Sequence, residues 1–256
     1  MLLAIDIGNT NTSLGLFEGA ELRCRWTIGT GLPTPTPDEY GVLLTNLFSS
    51  RGMDIKGLKG SLVCSVVPRL GAAVCTAIEG YAGCRASIVT EGLDAGVTVL
   101  TDDPAEVGAD RLVNAAAGYA RHKKALIICD LGTAATFDYV TEAGEYAGGV
   151  IAPGVSISAD ALCARTAKLP RVALARPRRV VGTNTADCIR SGLYWGFAGL
   201  VDGIIVRMLE EVGGAPHVMA TGGAAPLLAG ESRYIKEVAP DLTLHGLRII
   251  YEGKNG

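Results

Sequence analysis

The sequence has no C-x-x-C pair and no group of cysteines and histidines at zinc-ligand spacing, which excludes finger- and ribbon-type zinc modules. Its seven cysteines are an odd number, no secretory signal precedes the first apolar run, and Cys64 and Cys129 lie inside apolar runs. The expectation is therefore reduced thiols and a cytoplasmic protein. Histidine is scarce: His122, His217 and His245 lie away from every turn motif and read as surface or structural, so a Ser-His-Asp hydrolase is unsupported. Basic excess is missing too, the net charge being −3, which argues against a nucleic-acid or anionic-membrane surface. No segment offers the ~20 uninterrupted apolar residues of a membrane helix, and the apolar N-terminus meets Asp6 at once. Aromatics are only 5% while glycine numbers 34, a combination that favours close packing and tight turns. With 48% apolar and 19% charged residues over 256 positions, the chain is globular and long enough for two modest domains.

What is present is a duplication. Leu3-Ala4-Ile5-Asp6-Ile7-Gly8-Asn9-Thr10-Asn11-Thr12 resembles Ile127-Ile128-Cys129-Asp130-Leu131-Gly132-Thr133-Ala134-Ala135-Thr136, 124 residues further on. Each reads apolar run, Asp, apolar residue, Gly, small polar turn, and each continues into a second apolar stretch, Leu14–Phe17 and Phe137–Val140. The pattern predicts two hairpins with polar tips. It predicts an α/β chain of two similar domains, 1–115 and 116–256, whose tips converge on a shared cleft. The alternative is two ordinary hairpins that share Gly turns. Against it, both copies place an Asp at the end of a buried strand, where a carboxylate is costly unless paired or used.

Between the hairpins, helices are expected at 38–51 (Asp38 as N-cap), 69–80, 109–122, 156–168 and 185–212, with Leu227–Lys236 as the last substantial one. Strands are expected at 62–67, 86–89, 125–130 and 218–220. On the 185–212 helix, Ile189, Leu193, Phe197, Leu200, Ile204 and Met208 have helical spacing and form one apolar face. Residues 29–37 form a Pro-punctuated loop.

The turns carry the chemistry. Gly8 gives a tight turn with room for a phosphate, and Asn9, Thr10, Asn11 and Thr12 are neutral donors that hold an anion. Asp6 repels phosphate and suits Mg²⁺, which bridges phosphates; the plain alternative is an Asx-turn with a structural Asp. The turn is not a Walker A sequence, since no Gly-Lys-Ser/Thr follows. At the second tip, Thr133 can donate to a phosphate and Asp130 can hold a cation. Thr221-Gly222-Gly223 either admits a flat base or ribose or is a simple strand–helix connection. In Glu106-Val107-Gly108-Ala109-Asp110-Arg111, Asp110 is placed to accept a proton from a substrate hydroxyl, with Arg111 on a carboxylate or on phosphoryl charge. Otherwise Asp110 caps a helix and pairs with Arg111.

In order along the chain, Asp6-Ile7-Gly8-Asn9-Thr10, Thr36-Pro37-Asp38-Glu39-Tyr40, Ser65-Val66-Val67-Pro68, Glu106 to Arg111, Asp130-Leu131-Gly132-Thr133-Ala134, Gly148 to Gly154, Ala167-Lys168-Leu169-Pro170, Gly182-Thr183-Asn184-Thr185 and Thr221-Gly222-Gly223 resemble the type III pantothenate kinases. The resemblance implies a duplicated ribonuclease-H-like fold of the actin and hexokinase kind, and ATP-dependent phosphorylation of pantothenate to 4′-phosphopantothenate, the first step toward coenzyme A. It implies that Asp6, Ile7, Gly8, Asn9, Thr10, Asn11, Thr12 and Ser13 line the ATP phosphates and that Thr133 contacts ATP. Asp6 would serve Mg²⁺ indirectly, and Asp130 would hold a monovalent cation, K⁺ or NH₄⁺. Asp110 would accept the proton. Thr101, Gly108, Ala109, Asp110 and Arg111 would face pantothenate, as would Thr185 from the second subunit of a homodimer. Three positions depart from the family: Thr101 stands where a Tyr is usual, Asp103 where an Asn is, and Ala135 where a Thr is. Two other readings follow from these departures, a kinase for another hydroxy acid and a non-catalytic relative.

Overall fold

The computed structural model describes residues 1–31, 35–89, 96–166 and 168–255. Ala167 and the middle of the Pro-punctuated loop (32–34) lie outside them. The chain divides into two compact units, one of residues 1–121 with 242–256, the other of 122–241.

In the first unit, β1 (Leu2–Ile7), β2 (Asn11–Glu18) and β3 (Glu21–Gly29) form an antiparallel meander. β4 (Gly60–Ser65) and β5 (Ala86–Val89) add in parallel, for the order β3-β2-β1-β4-β5. Leu3, Ile5 and Ile7 share a core with Leu14 and Leu16 and with Tyr40, Leu44, Leu70, Val74 and Ile78 of α1 (Pro37–Ser49) and α2 (Pro68–Ala82). Strand alternation therefore turns Leu2, Ala4 and Asp6 to the opposite face. That face carries α7 (Leu242–Asn255), which packs on β1, β2 and β4. Thr243 of α7 donates to Asn114 of α3 (Ala109–His122), 2.8 Å.

The second unit repeats the plan. β6 (Leu126–Leu131), β7 (Ala134–Val140) and β8 (Tyr146–Pro153) form the meander. β9 (His217–Thr221) and β10 (Glu237–Val238) continue in parallel, for the order β10-β9-β6-β7-β8. Ile127, Cys129 and Leu131 pack against Tyr194, Val201, Ile205 and Met208 of α5 (Thr185–Val212). By length and composition α5 is the one helix among the described residues that could cross a membrane. One face of it nevertheless belongs to this core, and its Asp202 accepts the Ser232 hydroxyl.

Several sequence expectations need correction. α1 is capped by Thr36, not Asp38: the Glu39 amide donates to Thr36 Oγ1 at 3.3 Å and Thr36 N–H to Glu39 at 2.6 Å, a capping box reinforced by Pro37 in the first turn. The strand expected at 62–67 stops at Ser65, whose hydroxyl accepts from the Val67 amide. The helix expected at 156–168 is α4 (Val155–Ala164), shorter by a turn. The helix expected at 227–236 shrinks to α6 (Ala225–Leu228) and a 3₁₀ turn (Ala229–Glu231), so the last substantial helix is α7. On α5 the apolar residues buried within the chain are Ile189, Leu193, Tyr194, Ala198, Val201, Ile205 and Met208, three of which belong to the apolar face read from the spacing. β3 and β8 were not expected; both are edge strands whose mixed exposure gives a weak apolar signal.

Candidate active site

Asp6 and Asp130 occupy the same place in their sheets. Each is the penultimate residue of a central strand, held between an antiparallel neighbour (Ser13; Thr136) and a parallel one (Cys64; Thr221). Each is half-buried, one residue before the strand ends.

The turn after Asp6 is braced from within. The Gly8 amide donates to Asn11 C=O at 3.0 Å, closing the hairpin tip. A Cβ on Gly8 would sit 3.0 Å from that same oxygen, so Gly8 is needed for space rather than for a left-handed backbone. Thr30 donates its hydroxyl to Gly8 C=O at 2.7 Å and its amide to Thr10 C=O at 3.0 Å, and its Oγ1 lies 3.2 Å from Thr12 Oγ1. Thr12 and Thr30 are buried, whereas Asn9, Thr10 and Asn11 are exposed at the tip and Ser13 is half-buried. Sequence reasoning missed Thr30, because a threonine at the end of β3 carries no local motif.

On the same unit, Asp110 lies in the first turn of α3, half-buried, and accepts the Arg111 amide at Oδ1, 2.9 Å. The helix N-terminus favours its negative charge. Gly108 C=O accepts from Arg111 N–H at 3.1 Å and from Leu112 N–H at 3.3 Å, which starts the helix at Ala109. Asp6 lies beside Cys64 in the β1–β4 register. Burial pushes the Cys64 thiol well above its ordinary pKa, and the charges of Asp6 and then Asp110 push the same way. Thr101 is half-buried, with a buried Oγ1 that lacks a hydrogen-bond partner among the described residues. Asp103 caps a 3₁₀ turn (Pro104–Glu106), accepting the Ala105 amide at 2.9 Å.

In the second unit, Ala224 N–H donates to Leu131 C=O at 3.0 Å and Gly154 N–H to Thr133 C=O at 3.1 Å, fixing the Gly132-Thr133 tip. Gly222 has φ +88°, and a Cβ on it would lie 2.5 Å from Asp130 Oδ1. The Thr221-Gly222-Gly223 turn therefore packs directly against Asp130 and the end of β6. Thr185 opens α5 and is exposed; Asn184 caps that helix, accepting the Asp187 amide at 2.9 Å. A 410 Å³ hollow on this unit, lined by Trp195, Asp202, Glu231, Arg233 and others, contains none of the residues singled out from the sequence. Sequence reasoning also passed over Asp138, treated as part of an apolar stretch. It is fully buried and accepts from Tyr146 O–H at 2.8 Å.

The sequence profile of the type III pantothenate kinases matches residues 2–207. A type III pantothenate kinase of Koribacter versatilis is 48% identical, with 98% of this chain and 95% of that protein covered. One of Moorella thermoacetica is also 48% identical, covering 98% and 99%. Among solved structures, component A of (R)-2-hydroxyglutaryl-CoA dehydratase from Acidaminococcus fermentans superposes with a TM-score of 0.57 at 15% identity, over 98% of this chain and 98% of that one. A ROK hexokinase from Thermus thermophilus gives 0.51 at 13%, over 100% and 99%. At such identities these structures speak to the fold alone, the duplicated ribonuclease-H-like architecture of actin and hexokinase. The chain belongs to the type III pantothenate kinases, ATP-dependent phosphotransferases that act on pantothenate at the first step of coenzyme A biosynthesis.

Proposed function

We propose that in this chain Asp110 accepts the proton of the primary hydroxyl of pantothenate while the Asp6–Ser13 hairpin holds the ATP phosphates. The observation that carries this reading is an Asp at the end of β1, in register with Cys64, together with an Asp in the first turn of α3 whose charge reaches the same thiol. Ile7, Gly8, Asn9, Thr10, Asn11, Thr12 and Ser13 supply the turn: backbone N–H groups and neutral side chains that receive anionic oxygens without adding charge of their own. Thr30 keeps that turn closed through Gly8 and Thr10. Thr133 is assigned to ATP. Arg111 pairs with the substrate carboxylate, and Gly108 and Ala109 let the substrate approach the backbone. Thr101 contributes a hydroxyl whose buried oxygen has polar capacity to spare.

The first turn offers only oxygen and amide groups, with neither imidazole nor thiolate, which fits a hard divalent cation. Asp6 would hold Mg²⁺, through water, and the ion would neutralise phosphate charge. At the second tip, the half-buried Asp130 carboxylate at the end of β6, backed by Gly222, suits a weakly bound monovalent ion, K⁺ or NH₄⁺. The test is ADP release by the purified protein with and without pantothenate and K⁺, beside a panel of other hydroxy acids. Pantothenate is expected to outrun every other acceptor, with K⁺ raising the rate. No ADP release above the pantothenate-free background would defeat the assignment, and a faster rival acid would move it to that acid.

The working form is a homodimer in which Thr185 reaches the partner's pantothenate. Only 28% of the apolar window of α5 is buried within the chain. Ile151, Val180 and Val181 are 64%, 65% and 74% exposed, an apolar surface that a second copy can cover. Sedimentation should give a dimer for the native chain, and Val181→Glu should shift it toward monomer with loss of activity. A native chain that sediments as an active monomer rules this out. With a net charge of −3 and a metabolic substrate, we place the enzyme in the cytoplasm, away from nucleic acid and membrane.

A further inference from the structure

Two of the three histidines come together in the second unit. His122 is the last residue of α3; after it the chain reverses at Lys123, the one described non-glycine residue with positive φ, +50°. His217 opens β9, anchored by its amide to Ala125 C=O at 2.9 Å. Glu237 opens β10 beside Met219, two residues along β9 from His217, so alternation places His217 and Glu237 on one face. The imidazole centroids are 4.3 Å apart, and Glu237 Oε2 lies 3.0 Å from His122 Nε2 and 3.5 Å from His217 Nε2. One ligand atom from each residue can be chosen so that all three lie within 4.8 Å of one another.

The carboxylate is close enough to pair with both rings, but the geometry is poor for hydrogen bonds. Nε2 of His122 and Nε2 of His217 are both buried and have no hydrogen-bond partner among the described residues, despite the nearby carboxylate. Two buried imidazole nitrogens that share one carboxylate oxygen without good hydrogen-bond geometry are poorly compensated for the loss of water. Side-chain exposures of 16%, 18% and 20% leave the cluster half-buried and within reach of solvent, which can supply a further ligand.

We propose that His122, His217 and Glu237 form a binding site for a divalent transition-metal ion of the Zn²⁺ class, separate from the Mg²⁺ of phosphoryl transfer. Two imidazoles and one carboxylate are a donor set that zinc accepts, with a fourth position left to water. Zinc bonds of ~2.1 Å set tetrahedral ligand atoms ~3.4 Å apart, close to both measured Nε2–Oε2 separations. Mg²⁺ prefers oxygen donors in octahedral array and has little use for paired imidazoles. Burial, then the His122 ring and Lys124, lower the His217 pKa against the opposing pull of Glu237, which favours the neutral imidazole that a metal needs. The Glu237 charge offsets part of the cation's own.

The test is a Co²⁺ titration of chelator-stripped, nucleotide-free protein, followed by visible absorption. One equivalent per chain should give the intense bands of four- or five-coordinate cobalt, abolished by Zn²⁺ and unaffected by excess Mg²⁺. Octahedral cobalt on an all-oxygen site absorbs only weakly, so occupancy near Asp6 or Asp130 is told apart. His217→Ala and His122→Asn should each weaken binding beyond the ~10- to 100-fold that loss of an outer partner costs. Circular dichroism identifies which variants fold, and Zn²⁺-dependent elevation of Tm in the native protein alone is an independent readout. Absence of intense bands in the native protein, or a folded variant that titrates like it, overturns the proposal.

Discussion

Asp110→Asn is expected to lower kcat by about 10²- to 10⁴-fold, the usual contribution of a positioned general base, or about 3–5 kcal/mol of barrier. The substitution separates chemistry from structure. Asp110 accepts the Arg111 amide through Oδ1 at 2.9 Å, and an asparagine carbonyl oxygen accepts the same bond. The first turn of α3 therefore keeps its geometry, with Arg111 and Leu112 still donating to Gly108 C=O. The lost charge at the helix N-terminus costs only about 0.3–1 kcal/mol of stability. The amide has no basic oxygen with which to take up the alcohol proton. Pantothenate KM should change little if Arg111 and the neighbouring backbone carry binding, so the effect should lie in kcat. ADP-release kinetics and a thermal melt on the same preparation decide the matter. A variant with near-native Tm and a kcat within about two-fold of the parent removes Asp110 from the base role; it would also restore weight to the simple capping role that the Arg111 bond already serves.

How much of this was legible in the sequence depends on how local the signal was. The paired hairpins were, because an apolar run, an Asp and a Gly turn lie within ten residues, and the structure sets Asp6 and Asp130 at equivalent registers. The helix beginning at Ala109 was also readable, since Gly108 and the acidic first turn mark its start. What needed the third dimension was anything assembled by topology. Thr30 closes the Gly8 turn from 22 residues away. α7 returns from the C-terminus to β1, β2 and β4, and no local pattern announces that return. Asp138 hides in a strand whose neighbours are apolar, its partner Tyr146 lying on the next strand. The histidines read as surface or structural because spacing rules look along the chain, whereas positions 122, 217 and 237 meet only through the β6-β9-β10 pairing. His245 stays structural, edge-on to Phe17 with centroids 5.3 Å apart.

Gly222→Ala tests the other acid. At φ +88° the backbone of residue 222 is outside the range that an L side chain adopts readily. The new methyl would also stand 2.5 Å from Asp130 Oδ1 and 2.6 Å and 2.7 Å from the Leu131 carbonyl carbon and nitrogen. A carboxylate can rotate away; backbone at the end of β6 cannot, because β7 and β9 hold that strand from both sides. Backbone strain and overpacking together should cost about 2–5 kcal/mol. A domain with 5–15 kcal/mol to spare survives that loss and can be assayed, so urea unfolding should show the lower midpoint. Any rotation of Asp130 also moves the proposed cation ligand, so the surviving activity should lose its stimulation by K⁺ even at saturating ATP. The two readouts have different causes. A stability loss with K⁺ stimulation intact keeps the close packing of Gly222 but strips Asp130 of the cation. If both stability and stimulation are unchanged, the close approach of Gly222 to Asp130 is itself mistaken, and with it the reason for a glycine at that turn.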